Sequence, residues 1–214
     1  MAERPGTERL AALSDAVFAI AMTLLVIELK VPDLHGRDVS RLAAELRAQG
    51  GSYLAYALTF FVVGRAWLSH HRLTHLVAHV DEGLLRLNLV LLLFVAVLPF
   101  PTAVLGRYGA RTAAVVPYAA CMTMLGALLT AIWWWARSRV LFAGAIDRHD
   151  VRAAVIRPVS TAAVFLASIP AAFVAPGIAM DMWVLVLVVP RLSARIWDRR
   201  GGARTRSVPA RRRA

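Results

Sequence analysis

Six apolar blocks, continuous rather than alternating with polar residues, constrain this chain more than any other feature. They run about Ala11–Leu29, Tyr53–Leu68, Leu84–Leu105, Ala113–Trp135, Ser160–Val174 and Ile178–Val189. A helix that crosses a bilayer needs about 17–25 mostly apolar residues. On that measure the first four blocks are expected to span. The last two are short and separated only by Ala175, Pro176 and Gly177, so they read as two final spans or as one broken, re-entrant hairpin. Lipid offers no water to open backbone groups, which makes helices the expected form. A closed barrel would show alternation instead. Hydrophobic residues make up 59% of the chain, above the roughly 45–50% of soluble domains. The expected fold class is an all-α membrane protein with six transmembrane helices, which excludes a soluble enzyme or a disordered chain. Cys121 is the single cysteine and lies in the fourth block, so the chain has no internal disulfide.

A formal net charge of +12 on such an apolar body calls for a location. Lys and Arg accumulate on the cytoplasmic side of membrane proteins. With six spans and a cytoplasmic N-terminus, the inside segments hold Arg4, Arg9, Arg72, Arg86, Arg137, Arg139, Arg148, Arg152, Arg157 and nine more from Arg191 to Arg213. The outside loops hold only Lys30, Arg37, Arg41, Arg47, Arg107 and Arg111. Both termini are therefore expected in the cytoplasm. Residues 1–197 read as the membrane domain and 198–214 as a basic, disordered tail drawn to anionic lipid headgroups rather than to nucleic acid. The first block is expected to be retained, because its flank mixes Glu3, Arg4, Glu8 and Arg9, and Glu28, Lys30 and Pro32 follow it in place of a small-residue cleavage site. The segment Lys30–Gly50 has room for a short amphipathic helix with Val39, Leu42, Ala43 and Leu46 on one face.

The first block carries the most information. With Ile20 at zero on a helical wheel, Leu13, Ala16, Val17, Thr23, Leu24, Ile27 and Val31 fall within about 60° of it. This face is apolar apart from one hydroxyl. Ser14 and Asp15 lie more than about 100° away. A carboxylate one turn inside a span is costly unless paired or solvated, which makes Arg9 or a donor on a neighbouring helix its expected partner. Thr23 has a plain structural alternative, a hydrogen bond back to the carbonyl of Ala19 or Ile20.

Arg9, Leu13, Ser14 and Asp15 resemble the Arg-x-x-x-Phe-Ser-Asp signature that opens the first helix of the bacterial branch of the transmembrane protein 175 potassium channel family, with Leu13 in place of the phenylalanine. The run Val63–Arg72 is similar to the end of that family's second helix. Leu98–Thr102 with Gly106–Gly109 is similar to the end of its third. The resemblance implies a homotetramer with the first helix lining a central, potassium-preferring pore. It places a constriction at Ile20, with Leu24 and Ile27 stacked outward, and a hydroxyl layer at Thr23. It also implies a structural network of Arg9, Ser14 and Asp15 with Trp67, His71 and Asn88. No Thr-Val-Gly-Tyr-Gly run occurs in the chain, and no cofactor or catalytic group is expected beyond the permeant potassium ion. The alternative functional classes are a proton-coupled secondary transporter using Asp15, although the first-helix stripe offers no charged or unwound midplane element for it, and another small multi-pass membrane protein such as a non-conducting scaffold or metal enzyme.

Other residues carry weaker signals. His71, His75 and His79 are spaced to share one face of a helix extending into the cytoplasm, with His70 beside them. Such a stripe reads first as solvated or network-forming, and second as metal-binding or pH-sensing. Arg65 falls inside the second block, where it would pair or snorkel. Pro99 and Pro101 are expected to end the third helix. Trp133, Trp134 and Trp135 read as an interfacial belt, and Glu28 and Asp33 as charges near the outer mouth.

Overall fold

The computed structural model describes residues 5–32, 41–143 and 148–186. Eight helices run through them in order: α1 Pro5–Ile27, α2 Leu42–Ala48, α3 Gly50–Leu76, α4 Glu82–Val97, α5 Pro99–Tyr108, α6 Thr112–Ser138, α7 Arg148–Val174 and α8 Pro176–Met182. Among the described residues four stretches are long and apolar enough to cross a membrane: Gly6–Ile27, Glu82–Tyr108, Thr112–Ser138 and Ala154–Val174. The second apolar block lies in α3, whose 27 residues suffice in length. It is not among the four by composition, because Arg65 interrupts it and Ser69, His70, His71 and Arg72 follow it directly in α3.

The third span refines one expectation. Helix α4 ends at Val97, just before Pro99 and Pro101 as expected, but the same two prolines open α5, which carries the apolar stretch on to Tyr108. Proline is tolerated in the first turn of a helix, where its missing N–H has no partner to lose. The stretch ends instead at Gly109, whose φ of 60° suits a residue without a side chain. The fifth block, short by its apolar core, belongs to the 27-residue α7. Only Ala175 separates α7 from α8. The remainder of the sixth block, the tail, Val39 and Asp33 lie outside the described residues.

Helix α6 forms the centre, packed on α3, α4, α5, α7 and α8. Its buried side includes Tyr118, Met122, Leu125, Leu129, Ile132 and Trp133. Gly126 lets α7 approach closely: a Cβ there would lie 2.7 Å from the Pro158 carbonyl oxygen and 2.9 Å from the Ala162 nitrogen. Between α3, α5 and α6, Thr59 donates to the Ala55 carbonyl, so the Tyr118 hydroxyl donates to Thr59 at 3.0 Å. Thr102 stands 3.1 Å from the same oxygen.

The tryptophan triplet divides by face. Trp134 is exposed, but Trp133 is fully buried in the core. Trp135 closes the end of the bundle that carries the α3–α4 turn. Its indole N–H donates to the Asp81 carboxylate at 3.0 Å, and its ring packs across Gly83. Asp81 in turn caps α4 by accepting from the Leu84 amide at 2.7 Å. A belt of three equivalent rings is therefore excluded, since consecutive residues on a helix point about 100° apart.

A candidate ion pathway along the first helix

Helix α1 has two unlike faces. Leu10, Ser14, Phe18, Ala21 and Leu25 are buried, following each other at intervals of three or four residues, and turn toward α3, α4 and α5. Leu13, Ala16, Ile20, Thr23, Leu24 and Ile27 are exposed, with Ile20 at 57% and Ile27 at 67%. Val17 is half-buried at the edge, and Val31 lies beyond the helix end. The helix is regular over 23 residues, so the period of 3.6 residues alone assigns each side chain to a face. Thr23 donates to the Ile20 carbonyl at 2.8 Å. That engages its hydrogen and leaves the oxygen lone pairs unused.

The buried face is tied to its neighbours through two polar branches. In the first, the Ser14 hydroxyl donates to the Leu10 carbonyl at 2.8 Å and accepts from the Asn88 amide at 3.1 Å. The Asn88 carbonyl oxygen lies 2.8 Å from His70 Nε2. That oxygen only accepts, so His70 carries its hydrogen on Nε2. The Phe18 ring lies against the His70 ring at 5.9 Å. All three polar side chains of this branch are buried, where a missing partner is expensive.

In the second branch the Trp67 indole donates to the Asp15 carboxylate at 2.7 Å. The Trp67 ring stacks on His71 at 5.1 Å, and His71 Nε2 meets His75 Nε2 at 3.1 Å. The structure thus brings Ser14, Asp15, Trp67, His71 and Asn88 into one region. It does not bring in Arg9, which is exposed and forms no ion pair with Asp15 among the described residues. Asp15 takes the neighbouring helix's indole instead.

His79 does not share the histidine face either. Helix α3 ends at Leu76 and Val77 is extended. The chain there pairs with the segment after α6 through a bridge between Val77 and Phe142, and the Ala78 amide donates to Leu141. Spacing of four means one face only while the helix lasts. Sequence reasoning grouped His70 with this stripe and missed its place in the core. Its signal was available, since position 70 falls one turn after Ala66 and two after Val62 and Val63, all buried.

Several transmembrane stretches, a wide exposed apolar surface and a polar network sealed inside define an all-helical, multi-pass membrane protein. Comparison with known proteins narrows this class. A family model described as "Endosomal/lysosomal potassium channel TMEM175" matches residues 9–99. A protein described as a potassium channel from Streptomyces collinus is 40% identical over 154 residues, which cover 70% of this chain and 74% of that one. The mouse endosomal/lysosomal proton channel TMEM175 is 39% identical over 98 residues, 43% of this chain and 20% of that protein. Among solved structures, a lysosomal potassium-selective channel TMEM175 homologue from Chamaesiphon minutus superposes with a TM-score of 0.76 at 30% identity. The match covers 88% of this chain and 97% of that one. The chain belongs to the TMEM175 family.

Proposed function

We propose that this protein is a potassium-preferring cation channel of the plasma membrane, built from four copies whose first helices line a central pore, with both termini in the cytoplasm. The observation that carries the reading is the division of α1 into a locked face and an uncovered one. A spanning helix packed on one side by three neighbours and presenting Ile20, Thr23, Leu24 and Ile27 on the other is suited to facing its own copies across a narrow column of water. Four Ile20 side chains form an apolar collar that closes by shedding water and opens when it widens. Leu24 and Ile27 extend the collar outward. Thr23 supports cation passage, because its hydrogen is held by the Ile20 carbonyl and its oxygen is left to replace hydration water around the ion. The names and descriptions of the Streptomyces and Chamaesiphon relatives support potassium as that ion.

The Ser14–Asn88–His70 and Asp15–Trp67 contacts act as structure. They fix the back of α1 to α3 and α4 and so define which residues can turn toward the pore. The six-span arrangement rests on the six apolar blocks, the Lys and Arg count made over that arrangement supports the inward orientation of both termini, and the basic tail adds attraction to anionic lipid. The test is reconstitution of the full chain in liposomes under a potassium gradient. Potassium flux without a proton or substrate gradient is expected, and flux that requires a proton gradient would favour coupled transport instead. Ile20→Asn is expected to raise single-channel conductance and flatten the preference of potassium over sodium. Unchanged bilayer currents would remove Ile20 from the constriction.

A further inference from the structure

We propose that His71 and His75 form a two-imidazole binding site for a borderline transition-metal ion, such as zinc or nickel, on the accessible side of α3. The two residues are four apart on a continuous helix and share a face. Their Nε2 atoms stand 3.1 Å apart. Zinc binds imidazole nitrogen at about 2.0–2.1 Å, and a tetrahedral angle then sets the two nitrogens about 3.3 Å apart. The nitrogen spacing therefore differs from that around a bound ion by only about 0.2 Å, and the rings turn so that both lone pairs meet the ion beside the line that joins them. In its absence the same contact is a hydrogen bond from the Nε2–H of one ring to the Nε2 lone pair of the other; on metal binding the donor ring's proton moves through water to its own Nδ1, so that both rings stay neutral and both Nε2 lone pairs face the ion.

One half of the clamp is already held. The His71 ring stacks on Trp67 at 5.1 Å with an interplanar angle of 28°, and Trp67 is anchored by its hydrogen bond to Asp15. The other half, His75, is exposed, so an ion reaches it directly from water. Imidazole ligands select zinc, copper and nickel over magnesium or potassium, which separates this site chemically from the permeation path. No third histidine, cysteine or carboxylate completes a cage among the described residues, so water fills the remaining positions and the site is exchangeable. His79 is excluded because α3 ends before it.

The experiment uses the full chain in detergent with any affinity tag removed. It is titrated with cobalt(II), whose ligand-field absorption reports nitrogen ligation, and cobalt is then displaced with zinc. Saturable binding of one ion per chain is expected. His75→Gln is expected to weaken it by about tenfold or more, while His79→Gln leaves it unchanged. Thermal unfolding of His75→Gln without metal is expected to match the parent, because the residue is exposed. Equal binding by the parent and His75→Gln, absence of saturable binding by the parent, or equal weakening by His79→Gln would each overturn the site.

Discussion

Asn88 is the residue on which the polar core turns. It serves Ser14 with its amide nitrogen and His70 with its oxygen, and all three groups are buried. Removing it strands a donor on His70, and a buried group left without a partner costs about 1–3 kcal/mol. Ser14 keeps its bond to Leu10, so it suffers less. Asn88→Ala strands the His70 donor and also leaves a cavity, so it is expected to destabilise the protein by roughly 2 kcal/mol or more, and Ser14→Ala, which strands the Asn88 amide but removes only one oxygen, by less. Thermal unfolding in detergent reads the order directly, and a reversed order would count against Asn88 as the hub. The chemistry of these residues was readable in the sequence, as was Asp15's need for a partner. The partner itself was not. Arg9 stands closer in sequence, yet Trp67 holds the carboxylate, because Asp15 turns toward α3 while Arg9 is exposed.

At the level of elements, helix geometry explains most of what periodicity anticipated and most of where it fell short. The stripe through Ile20 and the polar pair at Ser14 and Asp15 separate onto different faces because α1 is unbroken. The histidine stripe fails at His79 because α3 stops at Leu76, and nothing local to the histidines announces that stop. The end of α6 shows a local conflict instead. Val140 adopts a φ of 56° just past the helix, where its amide donates to Arg137 and the Leu141 amide to Ala136. That double closure usually employs glycine. A left-handed conformation costs an L-residue about 1–2 kcal/mol, and the Val140 side chain is 81% exposed, so packing returns little. Val140→Gly is expected to stabilise the protein by about 1 kcal/mol, measured by denaturant or thermal unfolding. A loss of stability would mean that the exposed valine is covered in the assembled protein.

For the whole molecule, one copy leaves the apolar stripe of α1 open, and the proposed tetramer closes it. Native mass analysis in detergent is expected to give four copies. Asp15→Ala is expected to disperse them, since it removes the acceptor that orients Trp67 and with it the packed back of α1. Ile20→Asn, on the opposite face, is expected to leave assembly intact. A normal tetramer in Asp15→Ala would reduce that carboxylate to a local contact within the subunit.

The sequence by itself determined that the chain is helical and membrane-bound, how its charge divides among the segments between the apolar blocks, and which residues of α1 share a face. These are properties of hydropathy, charge counts and a repeat of 3.6 residues, all local along the chain. Tertiary structure alone decided which polar groups meet. Ser14 and Asn88 are joined across 74 positions, and Asp15 and Trp67 across 52. Such pairings depend on how helices dock, through close approaches such as that of α7 to Gly126 and through the cost that stranding Ser14, Asn88 and His70 Nε2 in the interior would carry.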